Sequence, residues 1–168
     1  TYSHIFVSYP IVKEKKMQNY NFKTKPFKHQ ADALNESWAA EYYALFMEMG
    51  TGKSKVAIDN IGLLYEQGEL DAALVIAPKG VYDNWVKGEF PAHLPESIKR
   101  SIVRWDPKTT KTYMAMLEEF LMEDFDGLKI FVMNVEAFST PRGAKTAGRF
   151  LVQNPNNMMI VDESTTIK

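Results

Sequence analysis

The chain has 168 residues, which is the usual size of one globular domain. Its composition, 45% hydrophobic and 24% charged, excludes a largely disordered or fibrous protein. The chain has no cysteine and only three histidines, which excludes disulfides and thiolate zinc sites and argues against a histidine metal site.

The net charge of −1 is unevenly distributed along the sequence. Residues 1–30 contain six lysines and one glutamate, whereas the rest of the chain is net acidic. A protein that binds nucleic acid through its overall charge is usually basic throughout. If this chain binds nucleic acid, we therefore expect it to use a local basic strip.

No apolar run approaches the roughly 20 residues that a membrane-spanning helix needs. The first residues do not have the pattern of a signal peptide, and we expect none. We therefore expect a protein without a membrane partner that is located in the cytoplasm, or in the host cytoplasm if the protein is viral.

Residues 1–25 are predicted to be an N-terminal extension, in which residues 5–7 could form a strand or a hairpin. The first predicted helix follows, and its apolar stripe consists of Phe27, Ala31, Leu34 and Trp38.

Five short apolar runs beyond residue 40 predict β-strands. They are residues 43–47, 72–77, 102–105, 129–133 and 158–161. Four of them are almost continuously apolar, which is typical of strands that are covered on both faces.

Segments with helical periodicity separate these strands. The two clearest stripes are Ile58, Ile61, Gly62 and Tyr65, and Tyr113, Met116, Leu117 and Phe120. For the helix that carries Tyr113 and Phe120, Asp106 is the predicted N-cap and Pro107 the predicted first residue. Weaker helical patterns cover residues 81–90 and 142–153. The alternation predicts an α/β domain over residues 26–168, with a parallel sheet and helices on both faces.

Residues 47–54 have the composition of a phosphate-binding loop between a predicted strand and a predicted helix. Gly50 and Gly52 allow positive φ angles and a close approach of the backbone to a phosphate. Successive N–H groups and the start of the helix attract an anion. Lys53 would reach the β- and γ-phosphates, and the Ser54 hydroxyl would bind Mg²⁺.

This pattern is incomplete, because Met47 stands where the full motif has its first glycine. The alternative interpretation is a glycine-rich turn. As a nucleotide site, the loop would contact the phosphates through Gly50, Thr51, Gly52, Lys53 and Ser54.

Two acidic residues, Asp162 and Glu163, follow the last apolar run. In a parallel sheet, ligands bind beyond the carboxyl ends of the strands, so Ser54 and Asp162 can converge on one Mg²⁺. Asp162 would hold that metal, and Glu163 would position and deprotonate the attacking water. The alternative is an ordinary turn after a core strand.

The sequence EMGTGKS at residues 48–54 closely resembles the D-E-M-G-L-G-K-T motif of superfamily 2 helicases of the Swi/Snf branch. Residues 26–30, PFKHQ, are similar to the R-P-Y-Q segment of these enzymes, which implies that Gln30 binds the adenine edge. Residues 162–168, DESTTIK, align with D-E-A-H-R-I-K, although Ser164 and Thr165 replace Ala-His.

Two further segments resemble motifs that lie on the nucleic-acid path of that family. Residues 74–79, followed by Asn84 and Trp85, are similar to motif Ia, which implies contacts through Pro78 and Lys79. For Trp85 we favour a packing role in the core. Residues 131–138 resemble the I-T-x-Y-E-x-L motif in a form similar to phage-type members, which implies a further contact at Asn134.

The resemblance implies the N-terminal RecA-like lobe of a helicase or translocase, with ATP and Mg²⁺ as cofactors. The expected partners are nucleic acid, with DNA favoured over RNA, and a second RecA-like lobe that supplies an arginine finger. Because the sequence stops just after the acidic motif, we expect an incomplete lobe with negligible turnover. The alternatives are a P-loop NTPase or kinase acting on a small molecule, and a non-catalytic nucleic-acid-binding module.

Overall fold

The computed structural model of the protein describes residues 2–9, 19–48 and 52–163. Its strands are β1 (Tyr2–Ser8), β2 (Tyr42–Glu48), β3 (Ala72–Ala77), β4 (Arg100–Arg104), β5 (Leu128–Asn134) and β6 (Asn157–Asp162). Its helices are α1 (Lys28–Ser37), α2 (Lys53–Glu66), α3 (Tyr82–Asn84), α4 (Phe90–His93), α5 (Lys111–Met122), α6 (Val135–Phe138) and α7 (Pro141–Gln153). A π-helical turn, Trp85–Glu89, joins α3 to α4.

The six strands form one sheet in the order β2-β1-β6-β3-β5-β4. Strand β3 pairs in parallel with β5 and β6, and β4 pairs in parallel with β5. Strand β1 is antiparallel to both of its neighbours, so β2 and β6 run in the same direction. The predicted α/β fold with helices on both faces is confirmed, and all five predicted strands are present. The sheet is parallel, as predicted, except at β1.

Strand β1 lies inside the sheet, between β2 and β6. Its sequence alternates in the way that a strand with one well-covered face requires. Ile5 and Val7 are buried, whereas Phe6 between them is 40% exposed. Residues 5–7 therefore form the strand that the sequence permitted, and this strand contributes to the core.

Two apolar clusters cover the two faces of the central strands. One cluster packs α1, α2 and the 82–93 segment against the sheet, and the other packs α5 and α7 against the opposite face. In β3, Ala73, Val75 and Ala77 belong to the first cluster. Ala72, Leu74 and Ile76 belong to the second. The continuously apolar sequence of β3 thus reflects burial on both faces, as predicted.

The prediction that both faces of the strand are buried is wrong for β6. Met158 and Ile160 are buried, but Met159 and Val161 are only half-buried. Helices α5 and α7 of the second cluster pack over the β3 and β5 part of the sheet, and the β2-β1-β6 part carries exposed Phe6 and Tyr42. An apolar run therefore predicted the strand correctly but not the covering of its second face.

Helix α5 starts later than the sequence indicated. Its N-cap is Thr110, whose hydroxyl oxygen accepts a hydrogen bond from the Tyr113 N–H at 3.2 Å. The prediction that Asp106 caps this helix is wrong, because its carboxylate accepts from the Lys108 N–H at 2.9 Å and closes a local turn. Short polar side chains stabilise turns and caps by the same kind of bond, so either role fits the sequence.

Helix α1 also differs in detail from its predicted stripe. Leu34 is buried and packs in the first cluster, but Phe27 precedes the helix and is 71% exposed. The assignment of Phe27 to the core-facing stripe is therefore wrong. Its backbone N–H donates to Gln30 Oε1 at 2.9 Å, so this residue starts the helix instead of packing beneath it.

The second cluster depends on a group of three aromatic rings. Phe150 on α7 stacks on Phe120 at 5.9 Å between ring centroids and lies 5.7 Å from Phe131. We predict that Phe150→Ala lowers the free energy of unfolding by about 3–5 kcal/mol, because it leaves a cavity between α5, α7 and the sheet. Exposed Val152 on the same helix is the control, and Val152→Ala is expected to change stability by less than about 0.5 kcal/mol. Equal losses in urea unfolding would contradict this arrangement.

Candidate nucleotide-binding site

The turn before α2 and the end of β6 lie at the same edge of the sheet. Strands β2 and β6 run in the same direction, so both end at this edge. One strand, β1, separates them, which corresponds to roughly 10 Å between β2 and β6. Gly52, Lys53 and Ser54 at the start of α2 and Asp162 at the end of β6 are therefore brought to one edge.

Gly52 is the N-cap of α2 and has a φ of 77°, in the left-handed region that favours glycine. Its carbonyl accepts from the Val56 N–H at 3.3 Å, which starts the helix. A Cβ atom at position 52 would overlap Nε2 of Gln30. The predicted adenine-binding residue thus lies directly against the predicted phosphate loop. Gly50 and Thr51 lie outside the described residues.

Lys53, the first residue of α2, is only 6% exposed. Burial lowers the pKa of its ammonium group, and the negative charge of Asp162 raises that pKa in part. A buried ammonium group is stabilised by an anion, and the phosphates of a nucleotide would supply one. Ser54, the next residue, is half-buried at the start of the same helix.

Asp162 ends β6 and is 2% exposed. Its Oδ2 accepts a hydrogen bond from Nε1 of Trp85 at 2.9 Å. Trp85 is fully buried, so the packing role favoured from the sequence is confirmed, but sequence reasoning missed its bond to Asp162. Glu163 has an exposed side chain, and its backbone N–H donates to the His4 carbonyl at 2.8 Å. The two carboxylates therefore have very different solvent exposure.

A cavity of about 470 Å³ opens beside Gly52 and Gln30. Its other lining residues are Thr24, Lys25, Phe27, His29, Lys55 and His93. The rings of Phe27 and His29 are stacked 6.0 Å apart. Thr24 Oγ1 and His93 Nδ1 are 2.8 Å apart. His93 was not predicted as a site residue, and no local pattern could have identified it, because the contact spans 69 positions.

Lys55, which lines this cavity, belongs to a buried ion pair. Lys55 donates to Asp59 Oδ2 and to the Thr24 carbonyl, each at 2.7 Å. Burial raises the pKa of Asp59 to about 6, although Lys55 opposes this rise. The pair lies within α2, and its bond to Thr24 ties the segment before α1 to the helix that follows the phosphate loop.

The three residues predicted to contact nucleic acid lie at the ends of two paired strands. Ala77 of β3 is in register with Asn134 of β5, so Pro78 and Lys79 follow β3 beside Asn134. Lys79 is exposed and Pro78 is half-buried.

Asn134 is buried, and its Nδ2 donates to Glu136 Oε2 at 3.0 Å. Hydrogen bonds from the backbone and from Asn134 lower the pKa of Glu136, and the positive charge of Lys79 lowers it further. Lys79 and Glu136 are thus two exposed groups of opposite charge at this corner. A role of Asn134 on the polymer path stays a prediction.

Among the described residues, no group of three or more histidine, aspartate or glutamate side chains could hold a metal ion by itself. Mg²⁺ usually binds through one or two protein ligands together with water and phosphate oxygens. Asp162 and Ser54 supply a carboxylate and a hydroxyl of the type that Mg²⁺ prefers.

None of the helices in the described part of the chain has the length and hydropathy that a bilayer-spanning helix requires.

The sheet order, the positive φ of Gly52 and the buried Lys53 and Asp162 at one edge are consistent with a RecA-like lobe. Comparison with known families identifies it further. The family of the type III restriction enzyme res subunit (ResIII) matches residues 23–164. Because the match covers most of the sequence, the chain belongs to this family, whose domain is of the superfamily 2 helicase type. No curated protein matches the chain.

The contact between Gly52 and Gln30 can be tested with a matched pair of glycines. Gly52 and Gly68 both have positive φ angles, but a Cβ at position 68 would meet nothing within 4 Å. We predict that Gly68→Ala lowers the free energy of unfolding by about 1–2 kcal/mol. This is the cost of holding a residue with a Cβ in the left-handed conformation, without any steric overlap. Gly52→Ala is expected to cost more, because the methyl group also displaces Gln30.

Denaturant unfolding measures both losses. In the Gly52→Ala background, Gln30→Ala should remove the extra loss in the free energy of unfolding, so that the remaining loss equals that of Gly68→Ala. Equal losses at the two positions would show that Gln30 does not lie against the loop.

Proposed function

We propose that this chain is the ATP-binding lobe of an ATP-dependent nucleic-acid helicase or translocase. The observation that supports the proposal most directly is the position of Lys53 and Asp162, which are buried at one edge of the sheet and interact electrostatically. The sequence EMGTGKS leads us to propose the Swi/Snf branch of superfamily 2. DNA is favoured over RNA as the polymer.

The phosphate part of the site is built from the loop and the start of α2. The backbone N–H groups of Gly50, Thr51 and Gly52 bind phosphate oxygens, and the Lys53 ammonium binds the β- and γ-phosphates. The burial of Lys53 favours this role, because a phosphate restores the charge stabilisation that desolvation removes. The Ser54 hydroxyl and the Asp162 carboxylate would hold Mg²⁺, which would neutralise charge on the phosphate oxygens.

The adenine part of the site is the cavity beside Gln30. An amide both donates and accepts hydrogen bonds, as the edge of adenine requires. Oε1 of Gln30 accepts from the Phe27 N–H at 2.9 Å, which holds the amide at the edge of this cavity. The exposed ring of Phe27 offers an apolar face for stacking at the mouth of the cavity.

The reaction itself depends on Glu163. Its carboxylate is exposed next to the buried Asp162, where it can accept a proton from the attacking water. In this proposal a second RecA-like lobe completes the site with an arginine finger, a group worth about 10³–10⁵ in rate. The polymer contacts the carboxyl ends of β3 and β5 through Pro78, Lys79 and Asn134, with Lys79 binding phosphates.

The proposal is tested by measuring ATP hydrolysis by the intact protein without polymer and with single- and double-stranded DNA and RNA. Stimulation by a polymer supports the helicase or translocase. Activity that ignores all polymers would instead favour an NTPase or kinase acting on a small molecule. Polymer binding without hydrolysis would favour a non-catalytic binding module.

Lys53→Ala is predicted to abolish detectable binding of ADP while the fold is retained. The variant removes the buried ammonium group that would face the phosphates. Alanine has the highest helix propensity, so the substitution should not weaken α2. Lys145→Ala on the exposed face of α7 is the matched control and should bind as the wild type does. Titration calorimetry measures the affinities, and circular dichroism monitors the fold. Unchanged affinity in Lys53→Ala would remove Lys53 from the site.

Glu163→Gln is predicted to preserve nucleotide binding and to lower the hydrolysis rate of the intact protein by about 10²–10⁴-fold. A glutamine has nearly the same shape as glutamate but cannot accept the proton of the attacking water. Glu119→Gln on the exposed side of α5 makes the same chemical change away from the site. Retained turnover in Glu163→Gln would contradict the role assigned to this carboxylate.

A further inference from the structure

We propose that Trp85 is a positioning residue of the nucleotide–metal site, whose indole N–H holds the Asp162 carboxylate in place for Mg²⁺. The inference rests on the proposed function and extends it to a residue outside the phosphate loop and the acidic pair. Trp85 does not touch the substrate in this assignment and acts only through Asp162.

The contact has the geometry and the surroundings of a strong hydrogen bond. Nε1 of Trp85 lies 2.9 Å from Oδ2 of Asp162. The tryptophan is 0% exposed and the aspartate 2% exposed, so water cannot easily replace either partner. Indole is only a donor, and a bond to an ionised acceptor in a buried site is stronger than one between neutral groups. The bond therefore restrains the position of Oδ2 and with it the orientation of the carboxylate.

Opposing charges act on the same carboxylate. Lys53 attracts it, as the effect of Asp162 on the pKa of Lys53 shows. Glu89 repels it, since the pKa of the Glu89 carboxyl is raised by burial and further by the charge of Asp162. Without the indole N–H, the carboxylate would lose one of its restraints against these two charges. We expect the carboxylate to turn toward Lys53, which would weaken its hold on a metal ion.

The position of the indole is itself fixed by an unusual piece of helix. Residues 85–89 form a π turn, in which the Phe90 N–H donates to the Trp85 carbonyl. Pro91 explains the widening, because proline has no N–H to donate and its ring clashes with the carbonyl four residues earlier. The Phe90 ring packs 5.7 Å from the indole. Such turns are frequent at functional sites, and here the turn begins at the residue that binds Asp162.

The test compares two buried tryptophans. Trp85→Phe keeps an aromatic ring and removes the N–H, and Trp105→Phe makes the same change in the opposite apolar cluster. Binding of adenylyl imidodiphosphate, a non-hydrolysable ATP analogue, is measured by calorimetry without metal and over a series of Mg²⁺ concentrations.

The expected result separates metal binding from nucleotide binding. In Trp85→Phe, the Mg²⁺ concentration that gives half of the metal-dependent gain in affinity should rise about 10–100-fold, as for other residues that support a metal ligand. Affinity for the metal-free analogue should stay within about twofold of the wild type. Trp105→Phe should match the wild type in both measurements. A Trp85→Phe protein with wild-type Mg²⁺ dependence would overturn the inference.

A measurement on the wild type keeps the inference testable if Trp85→Phe does not fold. The chain has three tryptophans and therefore three indole N–H signals in a ¹⁵N-labelled sample. Adding Mg²⁺ to protein saturated with the analogue should shift the Trp85 signal and leave the Trp105 signal in place. A Trp85 signal that does not respond to Mg²⁺ would overturn the inference.

These outcomes also distinguish this inference from the function on which it rests. If the wild type does not bind the analogue with or without Mg²⁺, the proposed function fails and the inference fails with it. If the wild type binds in a Mg²⁺-dependent way and Trp85→Phe behaves identically, only the role of Trp85 fails.

Discussion

The parallel pairing of β3 with β5 and β6 is the constraint on which the rest of the structure depends. Parallel strands end at a common edge, and the connections between them must return across the faces of the sheet. The interior of β3 is consequently buried on both sides, and the polar residues that follow or end the strands collect at one edge. Pro78, Asn134 and Asp162 reach that edge from three different strands, which makes it the place where chemistry can be assembled.

The edge of the sheet where β2 and β6 end contains buried charged side chains. Lys53 and Lys55 are two positions apart and both buried, but their partners differ. Lys55 meets Asp59 of its own helix at 2.7 Å, so its charge is compensated locally. Burial lowers the pKa of Lys53, and the negative charge of Asp162, at the end of β6, opposes this effect. Desolvated charges of this kind are stabilised by an anion or a metal ion, which is what a magnesium nucleotide brings.

Sequence periodicity predicted strands β2 to β6 and the longer helices, but it did not predict which elements pack against which. The apolar runs predicted five strands, and the residue types of the phosphate loop predicted the left-handed glycine that begins α2. The half-exposed face of β6 was not predicted, because it depends on which helices cover which strands. The position of β1 between β2 and β6 is set by pairing between distant segments, which local patterns do not encode. For the same reason, the bond between Trp85 and Asp162, 77 positions apart, could be found only in three dimensions.

We propose that the start of α2 and the end of β6 form one site for a magnesium nucleotide. A crystal structure of the protein with adenylyl imidodiphosphate and Mg²⁺ would show whether they do. We expect phosphates against the backbone N–H groups of residues 50–54, the Lys53 ammonium bound to the β- and γ-phosphates, and Mg²⁺ held by Ser54 and by Asp162 directly or through water. Phosphates bound away from the start of α2, or a metal ion with Asp162 in neither its inner nor its water shell, would contradict this proposal.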